Sequence, residues 1–403
     1  MTDPRPAPAG RRLAALPVPP TARAAVLLPR VARALDGSGD ALLPVPADDP
    51  RESGRLTGAL PPGSVVDDTV AMVVATSGTT GTPKGAMLPG PALVAGARAT
   101  HGRLGGPGTW LLPLPPHHIA GMQILVRSVV AGTEPVIVDV TRGFDPEDIV
   151  AATRRMPVGR RYTSLVPTQL VKVLDHPGAV DALRTFDAIL VGGAATPAAL
   201  RERAEAAGLA LVRTYGMSET CGGCVYDGVP LDGVRVRIAP GTSRIVLGGP
   251  VVAAGYLGAP GHPAFAEPGW FRTDDAGEFD DGVLTVTGRL DEAITTGGLT
   301  VVPQVVEAVL ERVPGVRACA VVGLPDERLG RRVAVAIVPD TSPHAPGTPG
   351  APGTPTLETL RSAVARELGP RAAPREMFVV DALPMRGIGK VDRWALHARL
   401  TGG

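Results

Sequence analysis

The residues best placed by type and spacing to do chemistry are Thr76-Ser77-Gly78-Thr79-Thr80-Gly81-Thr82-Pro83-Lys84-Gly85. They follow directly on Val70–Ala75, a short apolar run that reads as a buried strand. Glycines at 78, 81 and 85 let the backbone turn tightly and approach a ligand closely. The hydroxyls of Thr76, Ser77, Thr79 and Thr80 and the ammonium of Lys84 supply donors for phosphate oxygens. A Walker A loop needs Gly at position 83 and Ser or Thr at position 85, where this chain has Pro83 and Gly85. The loop reads as a phosphate cradle of another kind.

A second chemical stretch runs from Leu112 to Ser128 and contains His117-His118-Ile119-Ala120-Gly121-Met122-Gln123 and Arg127. A helix beginning near Ala120 places Gln123 and Arg127 four apart, on one face. An arginine there could pair with a carboxylate; the plainer reading is a cation at the helix exterior. Cys221-Gly-Gly-Cys224 has the spacing of zinc and redox pairs, but it has no second pair and no neighbouring histidine. Two small thiols in a Gly-rich turn is the reading preferred.

The elements that must position these residues alternate strand and helix. Strands are expected at Trp110–Leu114, Glu134–Val140, Arg161–Val166, Ala188–Val191 and Leu209–Thr214. Helices are expected at Pro91–Thr100, Ile119–Val130, Asp145–Arg155, Pro167–Leu174 and Pro197–Ala207. That alternation predicts a mostly parallel sheet covered on both faces. From Gly233 onward shorter alternating runs suggest antiparallel structure, and Leu357–Leu368 reads as an amphipathic helix. The tract from Pro339 to about residue 356 is rich in Pro, Gly and Thr and reads as a flexible insertion. The first residues are crowded with proline, so an irregular start leading into a helix over Ala22–Leu35 is expected.

Composition bounds the function. A chain of 403 residues, 44% hydrophobic and 20% charged, is an ordinary globular protein of two or three domains or subdomains. Its formal net charge of +1 gives no sign of a nucleic-acid surface. No apolar run reaches the ~18 residues of a membrane span. A cytoplasmic setting is expected, with homodimerisation as the default for a symmetric enzyme.

TSGTTGTPKG resembles the phosphate loop of the adenylate-forming superfamily: acyl-CoA synthetases, nonribosomal adenylation domains and firefly-type luciferases. Further motifs follow in that family's order. They are Gly192-Gly193-Ala194, Tyr215-Gly216-Met217-Ser218-Glu219-Thr220, Gly269-Trp270-Phe271-Arg272-Thr273-Asp274-Asp275, Gly288-Arg289-Leu290-Asp291-Glu292 and Pro384-Met385-Arg386-Gly387-Ile388-Gly389-Lys390. The resemblance covers about residues 65–395. The stretch around His118 and Arg127, with the short length, is similar to the o-succinylbenzoate–CoA ligases of menaquinone biosynthesis, especially short actinobacterial forms.

The resemblance implies an α/β fold in two parts. A large N-terminal domain over 1–290 would hold mostly parallel sheets with helices, plus a β-rich subdomain. A small mobile α+β C-terminal domain over 292–403 would pivot at a hinge, Asp291. It implies ATP and CoA as substrates with a small carboxylic acid, and Mg²⁺ held by Glu219 and Thr80. Thr76, Ser77, Gly78, Thr79, Thr80, Gly81 and Lys84 would meet the phosphates, and Gly193 and Ala194 the adenine. Tyr215 would stack on that ring within Gly216, Met217 and Ser218, while Asp275 and Arg289 would meet the ribose. Lys390 would bridge the carboxylate and the α-phosphate, with His118 and Glu219 also catalytic. His118, Gln123 and Arg127 would line the acyl pocket, and Gly297 and Gly298 the pantetheine tunnel. Two departures stand out: Asp274 replaces a customary Gly, which would strain a turn there, and the segment before the phosphate loop is short. Another aryl- or acyl-CoA synthetase, a carrier-loading adenylation enzyme and a nucleotide-sensing pseudoenzyme remain as alternatives.

Overall fold

The computed structural model describes residues 10–19, 21–76, 83–340, 354–386 and 390–401, with the backbone path alone for Ala22–Ala24, Arg386 and Lys390. The chain divides into two compact units. One comprises Met1–Arg237, Val246–Thr273 and Phe279–Leu284; the other comprises Ile238–Ile245, Asp274–Glu278 and Thr285–Gly403.

The first unit begins with a six-stranded sheet. Gly10–Val18 (β1), Ala41–Pro46 (β2) and Val70–Thr76 (β4) run parallel at its centre. Val65–Asp67 (β3) and Lys84–Pro89 (β5) pair antiparallel on either side, and Gly255–Leu257 completes the far edge. β1 corrects the expected irregular start. Proline excludes a helix interior but tolerates extended backbone, and β1 buries Leu13, Leu16 and Val18 while matching Leu13–Val18 to Ala41–Pro46. Tertiary pairing outweighed local composition. The expected Ala22–Leu35 helix is in two pieces, a 3₁₀ turn over Ala22–Leu27 and an α-helix over Leu28–Leu35 (α1). Starting α1 at Leu28 puts Pro29 in the first turn, where its missing N–H costs nothing. Pro50–Ala59 (α2), capped by the Asp49 carboxylate, covers β2.

After Gly90–Arg103 (α3) the chain enters the expected α/β alternation. It runs Thr109–Leu112 (β6), Ile119–Ala131 (α4), Val136–Ile137 (β7), Pro146–Thr153 (α5), Arg161–Leu165 (β8), Pro167–Leu174 (α6), Pro177–Leu183 (α7), Ala188–Val191 (β9), Ala198–Ala206 (α8) and Leu211–Met217 (β10). Gly222–Tyr226 (β11) and Val229–Pro230 (β12) then double back. The sheet order is β12-β11-β10-β9-β8-β6-β7; the pairs from β10 to β7 are parallel and those with β11 and β12 antiparallel. A core of Leu111, Ile149, Leu165, Leu170, Phe186 and Ile189 seals one face beneath α5 to α8. The strand expected over Glu134–Val140 shrinks to two paired residues, Val136–Ile137.

Arg235–Ile238 (β13), Arg244–Gly248 (β14), Trp270–Asp280 (β16) and Val283–Arg289 (β17) form a four-stranded sheet, with Gly255–Leu257 numbered β15 between them in the chain. This is the expected β-rich portion, and the unit boundaries fall within its strands.

The second unit is α+β. It carries Ile294–Thr296 (β18), Leu299–Val301 (β19), Pro303–Leu310 (α9), Val316–Asp326 (β20), Gly330–Pro339 (β21), Leu357–Leu368 (α10) and Glu376–Val379 (β22). It ends in Met385–Arg386 (β23), Lys390–Val391 (β24) and Arg393–Thr401 (α11). β20 is apolar on both faces because both are covered. Cys319 and Val321 face a core with Val306, Leu310, Leu360 and Val364, whereas Ala320, Val322 and Leu324 face Leu396 of α11. Most of the Pro/Gly tract, residues 341–353, lies outside the described residues. Among the described residues no helix is long and apolar enough to cross a membrane.

Candidate functional site

Ser77, Gly78, Thr79, Thr80 and Gly81 lie outside the described residues, but both ends of their loop are placed. Thr76 and Lys84 face each other across β4 and β5, and the Thr76 hydroxyl donates to the Lys84 carbonyl at 3.3 Å. Lys84 Nζ sits 3.1 Å from His262 Nε2 and 5.5 Å from the centre of the Tyr256 ring. Tyr256 is carried on β15, opposite Ala86 of β5, and its hydroxyl donates to Glu219 Oε1 at 2.6 Å. The Glu219 carbonyl accepts from the Ala253 amide at 2.9 Å. Tyr256 therefore lies beside the loop lysine and hydrogen-bonds the buried Glu219. Sequence reasoning missed Tyr256 and His262; the one available signal was a Gly-flanked tyrosine in a chain with four. Among the described residues no group of three or more His, Cys, Asp or Glu could hold a metal. A cation at Glu219 would rely on one carboxylate and on substrate oxygens, a donor set that suits Mg²⁺.

Tyr215, Gly216 and Met217 belong to β10 rather than to a loop. The register with β11 slips at Tyr215/Gly216, and Gly216 has φ +157°, where a Cβ would lie 2.2 Å from the Gly222 carbonyl oxygen. Glycine is obligatory for that close approach. Ser218–Thr220 forms a 3₁₀ turn in which the Thr220 hydroxyl accepts from the Met217 amide. Gly193 and Ala194 follow β9, whose last residue, Val191, pairs with Arg213 of β10. The two segments thus leave neighbouring parallel strands at their carboxyl ends, where open α/β sheets bind ligands.

His118 is exposed at the N-cap of α4, its ring 4.2 Å from that of His117. Gln123 is buried one turn on, and its Nε2 donates to the Cys221 carbonyl. Arg127 is buried as well, at 4% exposure, so it is no exterior cation. Its Nη2 donates to the Tyr226 hydroxyl at 3.2 Å, and its guanidinium lies 4.8 Å from the centre of the Trp110 ring. The Tyr226 hydroxyl also meets Thr100 Oγ1 at 2.9 Å. Gln123 Oε1, Arg127 Nε and Ser128 Oγ are buried with no hydrogen-bond partner among the described residues. Burial lowers the Arg127 pKa, and the one opposing influence is Tyr226, not a carboxylate. Burial, with the Arg127 charge, likewise lowers nearby His101 to about 4.

Cys221 and Cys224 flank this helix from β11 and its approach. Both are buried, and burial raises both thiols, Cys224 to about 12. They are protonated at neutral pH.

In the second unit Arg289 Nη1 reaches Asp275 at 3.3 Å, while its Nε and Nη2 grip both oxygens of Asp291 at 2.9 and 2.7 Å. Burial opposes the Arg289 charge, and the bond to Asp291 with the charges of Asp291, Asp275 and Glu292 more than restores it. Asp274 is not in a turn, which corrects the expected strain. It lies in the extended strand β16, its carboxylate 2.8 Å from Arg244 and its carbonyl accepting from Leu290. Gly297 (φ +54°) and Gly298 (φ +81°) form the two-residue turn between β18 and β19, where Thr296 opposes Leu299. Lys390 opens β24, opposite Arg386 of β23.

Comparison with known proteins identifies the family. Residues 20–257 match the model of AMP-binding enzymes, and residues 305–390 match that of the AMP-binding enzyme C-terminal domain. A Mycobacterium tuberculosis protein named probable 2-succinylbenzoate–CoA ligase is 56% identical over 391 residues, 96% of this chain and 98% of its own. A feruloyl-CoA synthase from Amycolatopsis sp is 32% identical, over 89% of this chain and 75% of its own. The o-succinylbenzoate CoA synthetase MenE of Bacillus subtilis, solved with its acyl-adenylate intermediate, superposes with a TM-score of 0.70 at 25% identity, covering 95% of this chain and 82% of its own. With both family models matched in order along one chain, this protein is a member of the AMP-binding enzyme family.

Proposed function

We propose that the chain joins 2-succinylbenzoate (o-succinylbenzoate) to CoA in two steps. In the first, a carboxylate oxygen of the acid attacks the α-phosphorus of ATP, pyrophosphate leaves and an acyl-adenylate forms. In the second, the CoA thiol attacks the acyl carbon, AMP leaves and the thioester is released. The near end-to-end identity to the Mycobacterium tuberculosis protein supports this acid. One observation carries the choice of a dicarboxylate, the buried Arg127 guanidinium with no carboxylate beside it among the described residues. A buried cation without a counter-charge is costly, and a substrate's second carboxylate would offset that cost.

In this reading Lys84, with the loop ahead of it, neutralises the triphosphate, and Glu219 with Thr80 would hold Mg²⁺, which would supply charge neutralisation at the phosphates. Tyr215, with Gly193, Ala194, Gly216, Met217 and Ser218, frames the adenine. Asp275 accepts from the ribose and Arg289 donates nearby. Lys390 bridges the carboxylate and the α-phosphate, His118 adjoins the acyl carbon, and Gln123 and Arg127 take the second carboxylate. Gly297 and Gly298 give the thiol arm a path past bare backbone. Pyrophosphate release across 2-succinylbenzoate, benzoates, hydroxycinnamates and fatty acids, with and without CoA, tests the assignment. Turnover should be highest with 2-succinylbenzoate and CoA. Preference for a monocarboxylic acid would hand the chain to the general aryl-CoA synthetase reading.

The same proposal makes Asp291 a hinge between residues 1–290 and 292–403. Fixing φ near −65° with Asp291→Pro should lower the thioester step at least about tenfold more than adenylation. Asp291→Asn serves as the control for the lost ion pair with Arg289. Single-turnover rates of each half-reaction decide, and an unchanged ratio in Asp291→Pro removes the hinge.

A further inference from the structure

A charge cluster around the buried Glu307 in the second unit has no part in the proposed chemistry. Glu307 of α9 is 9% exposed, and Arg393 Nη2 donates to its Oε1 at 2.8 Å and its Oε2 at 2.7 Å. Its Oε1 also accepts the Val321 amide of β20 at 2.6 Å. Arg393 Nε lies 3.1 Å from Glu292 Oε2, an ion pair whose N–H is not aligned as a hydrogen bond. Gln304 completes the network: its Nε2 donates to Glu292 and its Oε1 accepts the Arg289 amide.

Arg393 is the first residue of α11 and stands three residues after Lys390. The backbone between them has little freedom. Lys390–Val391 is paired with Met385–Arg386, the Asp392 amide donates to the Pro384 carbonyl at 2.8 Å, and Asp392 Oδ1 accepts the Ala395 amide at 3.0 Å. Arg393 therefore anchors the hairpin and the start of α11 polarly, beside the apolar packing of Val391 and Leu396 against β20 and β21. A lone buried Glu or Arg is strongly unfavourable, so the pair resists separation.

We propose that Glu307 and Arg393 are positioning residues for the Lys390 segment, clamping it to α9 and, through Glu292, to the chain beside Asp291. This rests on Lys390 acting in adenylation. The clamp works through geometry. Misplacing a catalytic group by about 1 Å costs on the order of 10²-fold in rate, so loosening the anchor should slow adenylation and leave the other half-reaction alone. The groups around Glu307 also give it a pH response. Burial raises its pKa to about 7, against Arg393 and the Val321 amide, with Glu311 and Glu292 adding to the rise. Cys319, which donates its thiol to the Glu307 carbonyl at 3.8 Å, is itself raised by burial. Protonating Glu307 removes the anion that Arg393 grips, so the clamp weakens as pH falls through 7.

Glu307→Gln and Arg393→Lys test this in the full chain, with Lys390→Ala in parallel. Pyrophosphate release in Glu307→Gln should fall ten- to a hundredfold in kcat, with KM for ATP within twofold. Thioester formation from supplied acyl-adenylate and CoA should stay within twofold. The parent's adenylation rate should rise from pH 6 to 8, and that rise should flatten in Glu307→Gln. Arg393→Lys, which keeps the charge but loses the fork, should show the same split if Glu307→Gln fails to fold. Proportional loss in both half-reactions, or no loss in either, overturns the clamp. If Lys390→Ala retains adenylation, the lysine assignment and the clamp fall together; if only the clamp variants stay active, the lysine assignment survives.

Discussion

Lys390→Ala should slow acyl-adenylate formation by about 10²–10³-fold, the cost of losing one preorganised charge in a transition state, while sparing the thioester step. The lysine faces like-charged partners, a carboxylate approaching a phosphate, and its ammonium is the group proposed to sit between them. Once the acyl-adenylate exists, that repulsion is gone and nothing in the thiol's attack calls for the same cation. Pyrophosphate release from ATP and acid measures the first half-reaction; synthetic acyl-adenylate with CoA measures the second. Equal loss of both would remove Lys390 from phosphoryl chemistry and make it a structural residue of β24.

Arg127→Leu should raise KM for 2-succinylbenzoate at least tenfold, on the order of 1.4 kcal/mol of binding. KM for ATP and for CoA should change little. The structure adds a stability argument. Arg127 is buried against Trp110 and Tyr226, with no carboxylate beside it among the described residues, and Tyr226 keeps Thr100 as a partner if the arginine goes. Leucine removes a desolvated charge, so the melting temperature of the free protein should hold or rise. The acid should then stabilise the parent more than the variant, since at a given concentration the tighter ligand stabilises more. An analogue lacking the ring carboxylate should be a poor substrate for the parent and lose little further in Arg127→Leu. If both acids suffer equally, Arg127 is part of the core and the second carboxylate lies elsewhere.

The strand–helix alternation from β6 to β10 was legible because parallel strands buried on both faces give short apolar runs between amphipathic helices. Pro167–Leu174 and Ala188–Val191 match to the residue. What escaped was extended structure whose partner is distant in the chain. β1 pairs with β2 and β15 with β5, and neither strand has a local pattern strong enough to announce it. The same cause hid Tyr256, whose value lies in reaching Glu219 across 37 positions. Gln123 and Arg127 share the helix expected for them and are both buried, but the burial of Arg127 was not readable, because arginine is usually exposed. Asp274 looked strained only while its segment was taken for a turn; in β16 an aspartate needs no special backbone.

The inert thiols bear on selectivity. An acyl-adenylate is an activated electrophile, and any nearby thiolate would compete to be acylated. All three cysteines of the chain, Cys221, Cys224 and Cys319, are buried, and burial raises each thiol above its ordinary pKa. Cys221 is two residues from Glu219, yet its sulfur is held as a neutral, enclosed S–H, and thiolate is the reactive form. In the proposed reaction, whose second substrate is a thiol, this burial offers the acyl-adenylate no sulfur nucleophile from the chain itself and guards against mixed disulfides with that substrate.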